Sequence, residues 1–151
     1  MEHEEKERKF LLKRLPSLEP SEQIFILQYY KDGYRYRMSK PSSSIKNIFE
    51  KIKKVKAAKG HNKELEIEEI SSETFWVNKS GCISISKRRL VYLYDNKKFE
   101  VDDFLDLKLV MLEVEDVELS EKINFPPEIK SVLLLEVTGN DQFDNFNLAE
   151  N

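Results

Sequence analysis

Polar and apolar residues alternate along much of this chain with a period of two, the spacing that sends successive side chains to opposite faces of a strand. Three runs are charged at every second position: Glu5-Lys6-Glu7-Arg8-Lys9, Tyr34-Arg35-Tyr36-Arg37 and Glu113-Val114-Glu115. Each would therefore build one charged face. Phe10, Leu11 and Leu12 extend the first run into a strand of about ten residues, and Pro16 to Ser21 reads as a connector. Gln23 to Lys31 and Tyr34 to Ser39 pair as an antiparallel hairpin across Asp32-Gly33, since glycine accepts the positive φ of such a turn. Glu64 to Glu68, Ile83 to Leu93, Lys98 to Phe104 and Leu109 to Val117 read as further strands, with a turn at Asn96 and a short helix or turn from Ser71 to Trp76.

Residues 42–59 are ambiguous. Ile45, Ile48, Phe49, Ile52 and Val55 fall at helical spacing behind capping serines. As a strand from Phe49 to Ala57, the segment instead places Lys51, Lys53 and Val55 on one face and Ile52, Lys54 and Lys56 on the other. Counting it as a strand gives about eight. The stretch from Phe125 to Ala149 mixes proline with short apolar runs and reads as short helices over an opening. No fixed repeat, low-complexity segment or linker divides the chain, so a single domain over residues 1–151 is expected.

The chain has 151 residues, 40% hydrophobic and 35% charged. That is enough apolar sequence for a core and more charge than an average domain carries. Lysine and arginine total 25 against 28 aspartates and glutamates, a net charge of -3. No overall basic field is available to hold nucleic acid. The N-terminus is charged and lacks the apolar core of a signal peptide, and no apolar run is long enough to span a membrane, so a cytoplasmic location and no membrane partner are expected. Cys82 is the only cysteine, which rules out an intramolecular disulfide and a cysteine-based zinc site.

Two arrangements fit the alternation. Charged faces turned outward would give a solvated sheet with cross-strand ion pairs, each worth roughly 0.2–1 kcal/mol, around a conventional core. Turned inward, strands closing on themselves would enclose a charged lumen. That lumen would collect arginines and lysines suited to phosphate oxygens and carboxylates suited to a hard divalent cation. Phosphoryl transfer needs both halves. His3 and His61 lie in a terminal tail and a loop, and no Ser/His/Asp arrangement, phosphate-cradling glycine loop or dinucleotide fingerprint is present.

Glu5-Lys6-Glu7-Arg8-Lys9-Phe10-Leu11 resembles the Glu-x-Glu-x-Lys signature that opens the CYTH domain of the triphosphate tunnel metalloenzymes. Arg35-Tyr36-Arg37, Glu64-Leu65-Glu66, Lys87-Arg88-Arg89, Phe99-Glu100-Val101-Asp102, Leu112-Glu113-Val114-Glu115 and Glu136-Val137-Thr138-Gly139 with Asn145 follow in the family's order. The resemblance implies a mainly β protein, an eight-stranded antiparallel barrel forming a tunnel, with short flanking and C-terminal helices. It turns residues 49–57 into a strand. By the same resemblance Glu5 and Glu7 with Glu113 and Glu115 would hold Mg2+ or Mn2+, supported by Asp102 and less directly by Glu100. Lys9, Arg35, Arg37, Lys53, Lys87 and Arg89 would grip phosphates, with Lys56 the alternative to Lys53. Glu64 and Glu66 would position a metal or the attacking water, and Glu5, Glu7 and Lys9 would share in catalysis.

Members of that family hydrolyse tripolyphosphate or thiamine triphosphate, or cyclise ATP. Glu7 to Leu11, Glu-Arg-Lys-Phe-Leu, resembles the compact bacterial tripolyphosphatase branch. Leu27 stands where close relatives would have an arginine, and the Lys31 to Gly33 turn is short. The expectation is a monomeric or homodimeric, metal-dependent hydrolase of a small triphosphate, with an adenylate cyclase or a non-catalytic polyphosphate- or nucleotide-binding module as alternatives.

Overall fold

A computed structural model describes residues 2–149. Nine strands lie among them: β1 (Glu2–Leu12), β2 (Glu22–Lys31), β3 (Tyr34–Pro41), β4 (Ile48–Ala58), β5 (His61–Glu69), β6 (Ser84–Tyr94), β7 (Lys97–Phe104), β8 (Val110–Glu115) and β9 (Leu133–Glu136). The sheet runs β5-β4-β3-β2-β6-β7-β8-β1-β9, every pair antiparallel, and β5 also pairs with β1. That last pairing closes β1 to β8 into the expected eight-stranded barrel. Residues 42–59 hold β4, so strand pairing on both sides overrides the local helical spacing.

The turns follow from local chemistry. Asp32 and Gly33 both have positive φ, as do Asp95 and Asn96 in the β6–β7 hairpin. Two such residues in a row match the right-handed twist of the flanking strands.

β9 was not foreseen in the sequence. One edge of β1 is shared, with β5 on Glu2 to Lys6 and β9 on Phe10 to Leu12. Between them the Glu7 N–H donates to the Gly60 carbonyl at 2.9 Å and the Lys9 N–H to the Thr138 hydroxyl at 2.9 Å. A Cβ on Gly60 would lie 3.2 Å from the Glu7 carbonyl oxygen, so glycine permits this close approach as well as the positive φ.

Two apolar clusters lie outside the barrel wall. Phe10, Leu12, Leu90, Tyr92, Phe99, Val101, Leu112 and Val114 pack beneath the segment carrying Val117, α2 (Pro127–Lys130) and Val132. Tyr29, Tyr36 and Met38 pack under Phe75 of α1 (Ser72–Asn78), a helix capped by the Ser71 hydroxyl on the Thr74 N–H. With the odd-numbered face of β1 and β3 turned away from these clusters, its charges point inward. Ile85, Phe104 and Met111 close one end of the interior against Ala149 of α3 (Asn145–Ala149). Charges on a solvated outer face around a conventional core are thereby ruled out: Lys87 is 0% exposed, Asp102 1% and Glu7 4%.

Candidate functional site: a charged lumen

The period of two brings the alternating charges of each strand to the same interior. β1 contributes Glu5, Glu7 and Lys9; β3 contributes Arg35 and Arg37; β6 contributes Lys87 and Arg89; β7 contributes Glu100 and Asp102; β8 contributes Glu113 and Glu115. Cross-strand register then sets the neighbours, with Lys9 opposite Glu113, Arg89 opposite Asp102 and Glu100 opposite Glu113.

The deepest part is an ion-paired block. Arg89 contacts Asp102 twice, at 2.8 and 3.0 Å, and lies 3.5 Å from both Glu100 and Glu113. Lys87 donates to Asp102 at 2.7 Å and to the Asn145 side chain at 3.2 Å, with its ammonium over the Phe104 ring. Burial pulls Lys87 down to about 8, despite Asp102, and Arg89 and Arg37 add to the fall. Burial also raises Asp102, but Arg89 and Lys87 overcome it and leave the carboxyl below its ordinary value. Burial lowers Arg37 to about 10, helped by Arg35 and Arg89.

Carboxylates line the adjoining wall. Burial and the neighbouring negative Glu113 push Glu7 well above the carboxylate range. Glu113 goes the other way: burial raises it, but the hydrogen bond with Glu7 and the charges of Lys9, Arg89 and Lys87 outweigh that. Glu115 is raised to about 8 by burial, then by its hydrogen bond with Glu100 and the charge there. Glu5 Oε1 is buried without a hydrogen-bond partner, 3.4 Å from the Lys54 ammonium.

A cavity of about 340 Å³ opens beside this wall, lined by Lys9, Arg35, Lys54 and Lys56 together with Tyr30 and Asn62. Arg35 is held by Glu64 at 3.3 Å, and Lys54 spans Glu5 and Glu7. The C-terminal segment reaches across the cavity. Asp144 lies 3.5 Å from Lys9 and 2.9 Å from Lys56, Asp141 pairs with Lys56, and Phe146 sits edge-on to Tyr30.

Some of the residues named from sequence do not join this group. Lys53, Lys54 and Lys56 are all exposed, but Lys54 and Lys56 line the cavity and Lys53, paired with Leu65, does not. The register of β4 against β5 shifts between Lys51 and Lys53, which is where parity counting loses its footing. Glu66 has φ of 50°, is exposed, and accepts a hydrogen bond from the Tyr34 hydroxyl on the outer side. Arg37, Lys87 and Arg89 do not line the cavity. Three residues not named from sequence belong here, Gln28, Tyr30 and Asp144, together with Lys54, which the alternation left open beside Lys53 and Lys56. Lys54 had its signal in the even-numbered face of β4, and Gln28 and Tyr30 share the inward parity of β2. Asp144 carried none.

Among the described residues, no three carboxylate or imidazole groups stand close enough to ligate one ion as placed. Their chemistry nevertheless suits a hard cation. Glu5 Oε1 has the Lys54 ion pair and no hydrogen bond, and Glu7 and Glu113 put two carboxyl groups side by side where a cation would relieve their repulsion. Asp102 does not fit as a ligand, because Arg89 and Lys87 occupy both its oxygens.

No family model matches the chain, and no curated protein matches it. Among solved structures, that of the inorganic triphosphatase NE1496 is similar with a TM-score of 0.62 and 21% identity, covering 97% of this chain and 95% of that one. Another, described as the hypothetical protein NE1496, has the same score and identity over 97% and 98%. A Hippeastrum protein described as a putative adenylyl cyclase with a dominant triphosphatase activity reaches 0.49 at 15% identity over 76% and 80%, too loose a likeness to argue from. At these identities the likeness shows the fold: the chain has the triphosphate tunnel fold implied by its motif order.

Proposed function

We propose that this protein is a metal-dependent hydrolase of small triphosphates, with inorganic tripolyphosphate as its substrate. The observation that carries the reading is the placement of Lys9, Arg35, Lys54 and Lys56 around one cavity, against the half-buried Glu5 and the buried Glu7. Four cations from three strands match a linear polyanion, and their spread along the wall would hold the chain extended. The likeness to a structure described as an inorganic triphosphatase supports the reading.

Each residue has a distinct task in this reading. Arg35, fixed by Glu64, offers its guanidinium to a non-bridging oxygen pair, and Lys9, Lys54 and Lys56 supply compact charges. Glu5, Glu7 and Glu113 would hold Mg2+ or Mn2+, with Glu115 beside them, and such an ion neutralises developing phosphate charge and lowers the pKa of a bound water. Arg89 and Lys87 keep Asp102 and Glu113 in place from beneath. Hydrolysis forms one P–O bond from water, breaks the phosphoanhydride and releases a proton to solvent. Glu5 Oε1, ion-paired with Lys54 but making no hydrogen bond, would orient the water.

Purified protein incubated with tripolyphosphate, and separately with ATP, in Mg2+ or Mn2+ and with a chelator control, tests the reading. Metal-dependent release of orthophosphate from tripolyphosphate is expected. Cyclic AMP from ATP would move the assignment to a cyclase, and tripolyphosphate binding without turnover would make this a binding module.

A further inference from the structure

Gln28 is 0% exposed yet fully polar, and the hydrolytic reading gives it no task. It lies on β2 opposite Arg37 of β3, and Tyr30, two residues on along the same face, lies opposite Arg35. Arg37 Nε donates to the Gln28 side-chain oxygen at 2.9 Å. Because a guanidinium can only donate, the amide has one orientation available, oxygen toward Arg37 and nitrogen away from it. Gln28 Nε2 therefore donates to the Tyr30 hydroxyl, at 2.6 Å.

The consequence falls on the Tyr30 proton. With one lone pair taken by Gln28, the hydroxyl is left to donate, and it has no acceptor among the described residues. Its charged neighbours are Arg35, Arg37 and Lys9, which cannot accept. Phe146 packs edge-on against the ring, 5.1 Å between centroids, and fixes its plane. Tyr30 also lines the cavity that holds Lys9, Arg35, Lys54 and Lys56.

We propose that Gln28 is a positioning residue that turns the Tyr30 hydroxyl proton into the tunnel, where Tyr30 donates it as a hydrogen bond to a phosphate oxygen of the bound triphosphate. The inference rests on the triphosphate reading of the cavity and adds a neutral donor to its four cations. It also explains a buried amide in an otherwise ionic interior. An amide can accept from arginine on one side and donate to tyrosine on the other, whereas a carboxylate can only accept and an ammonium can only donate.

Calorimetric titration of tripolyphosphate in the presence of a chelator reads binding without turnover, and steady-state kinetics with Mg2+ separate KM from kcat. Tyr30→Phe, which removes only the hydroxyl, is expected to weaken binding about tenfold, as for one hydrogen bond to a charged group, and to raise KM more than it lowers kcat. Gln28→Met is expected to weaken binding as well. The double variant should lose less than the product of the two single losses, because each removes the same donated bond.

Parent-like binding by Tyr30→Phe would overturn the proposal, even if Gln28→Met failed to fold. Fully multiplicative losses in the double variant would also overturn it, showing that Gln28 acts without Tyr30. If the parent binds tripolyphosphate but does not cleave it, the hydrolase reading fails while the binding cycle still decides the role of Gln28. If the parent does not bind it at all, both are overturned.

Discussion

Arg89 and Asp102 face each other across β6 and β7 and are joined by two parallel hydrogen bonds, Nε to Oδ1 at 2.8 Å and Nη2 to Oδ2 at 3.0 Å. Lys87 shares Oδ2 at 2.7 Å. Two cations thus depend on one carboxylate that is 1% exposed. Asp102→Ala is expected to cost about 3–5 kcal/mol, since breaking a buried pair leaves an uncompensated charge. Urea denaturation would show this as a lower midpoint. A loss under about 1 kcal/mol would mean that Glu100 and Glu113 suffice as counter-charges for Arg89.

Glu7→Gln separates stability from activity. Burial and the neighbouring Glu113 favour the uncharged form of Glu7, and glutamine keeps its shape without a charge. Thermal stability should stay close to the parent's, while metal-dependent turnover falls by at least tenfold and tripolyphosphate affinity changes little. Equal losses of stability and turnover would place Glu7 in the framework only.

Stability should fall and then recover as pH rises. Glu115 titrates at about 8 in the folded chain, above its ordinary 4.5, so the folded state holds the extra proton between those values and loses stability as pH climbs through that window. Lys87 titrates at about 8, below its ordinary 10.5, so there the unfolded state holds the extra proton and stability rises again from about 8 to 10.5. Glu115→Gln should flatten the first limb in a series of thermal melts. An unchanged limb would remove Glu115 as its source.

Asp144 pairs with both Lys9 and Lys56, two of the cations proposed to bind phosphate. Asp144→Ala should lower KM for tripolyphosphate a few-fold at low salt, with the gain fading as salt screens the lysines. A raised KM would instead make Asp144 part of the substrate site.

Lys54→Ala should weaken tripolyphosphate binding, whereas Lys53→Ala should leave both KM and kcat within about twofold, given that a surface lysine away from such contacts contributes little. The reverse result would mean that the β4 register in solution differs by one residue.

Much of the barrel was legible because each strand carries its own period. The hairpin at Asp32-Gly33 is local chemistry, and Glu5, Glu7 and Lys9 share a face in any strand that contains them. Local spacing left the segment around Ile52 undecided, since five apolar residues at helical spacing look the same until β3 and β5 supply strand partners; only the motif order made it a strand, as it is. The role of Lys53 was not legible either. Parity counting holds only through an uninterrupted ladder, and the shifts around Lys51/Lys53 and the positive φ of Glu66 break it.

The sequence by itself determined that this chain would make strands with one charged and one apolar face, because side-chain direction along a strand is set by covalent geometry. Only the tertiary structure decided which charges meet. Whether Arg89 is spent on Asp102, whether Lys54 reaches Glu5, and whether Asp144 lies on Lys9 all depend on register, closure and a C-terminal segment folding back across 135 residues of chain. Those are contacts between residues remote in sequence, and no local pattern encodes them.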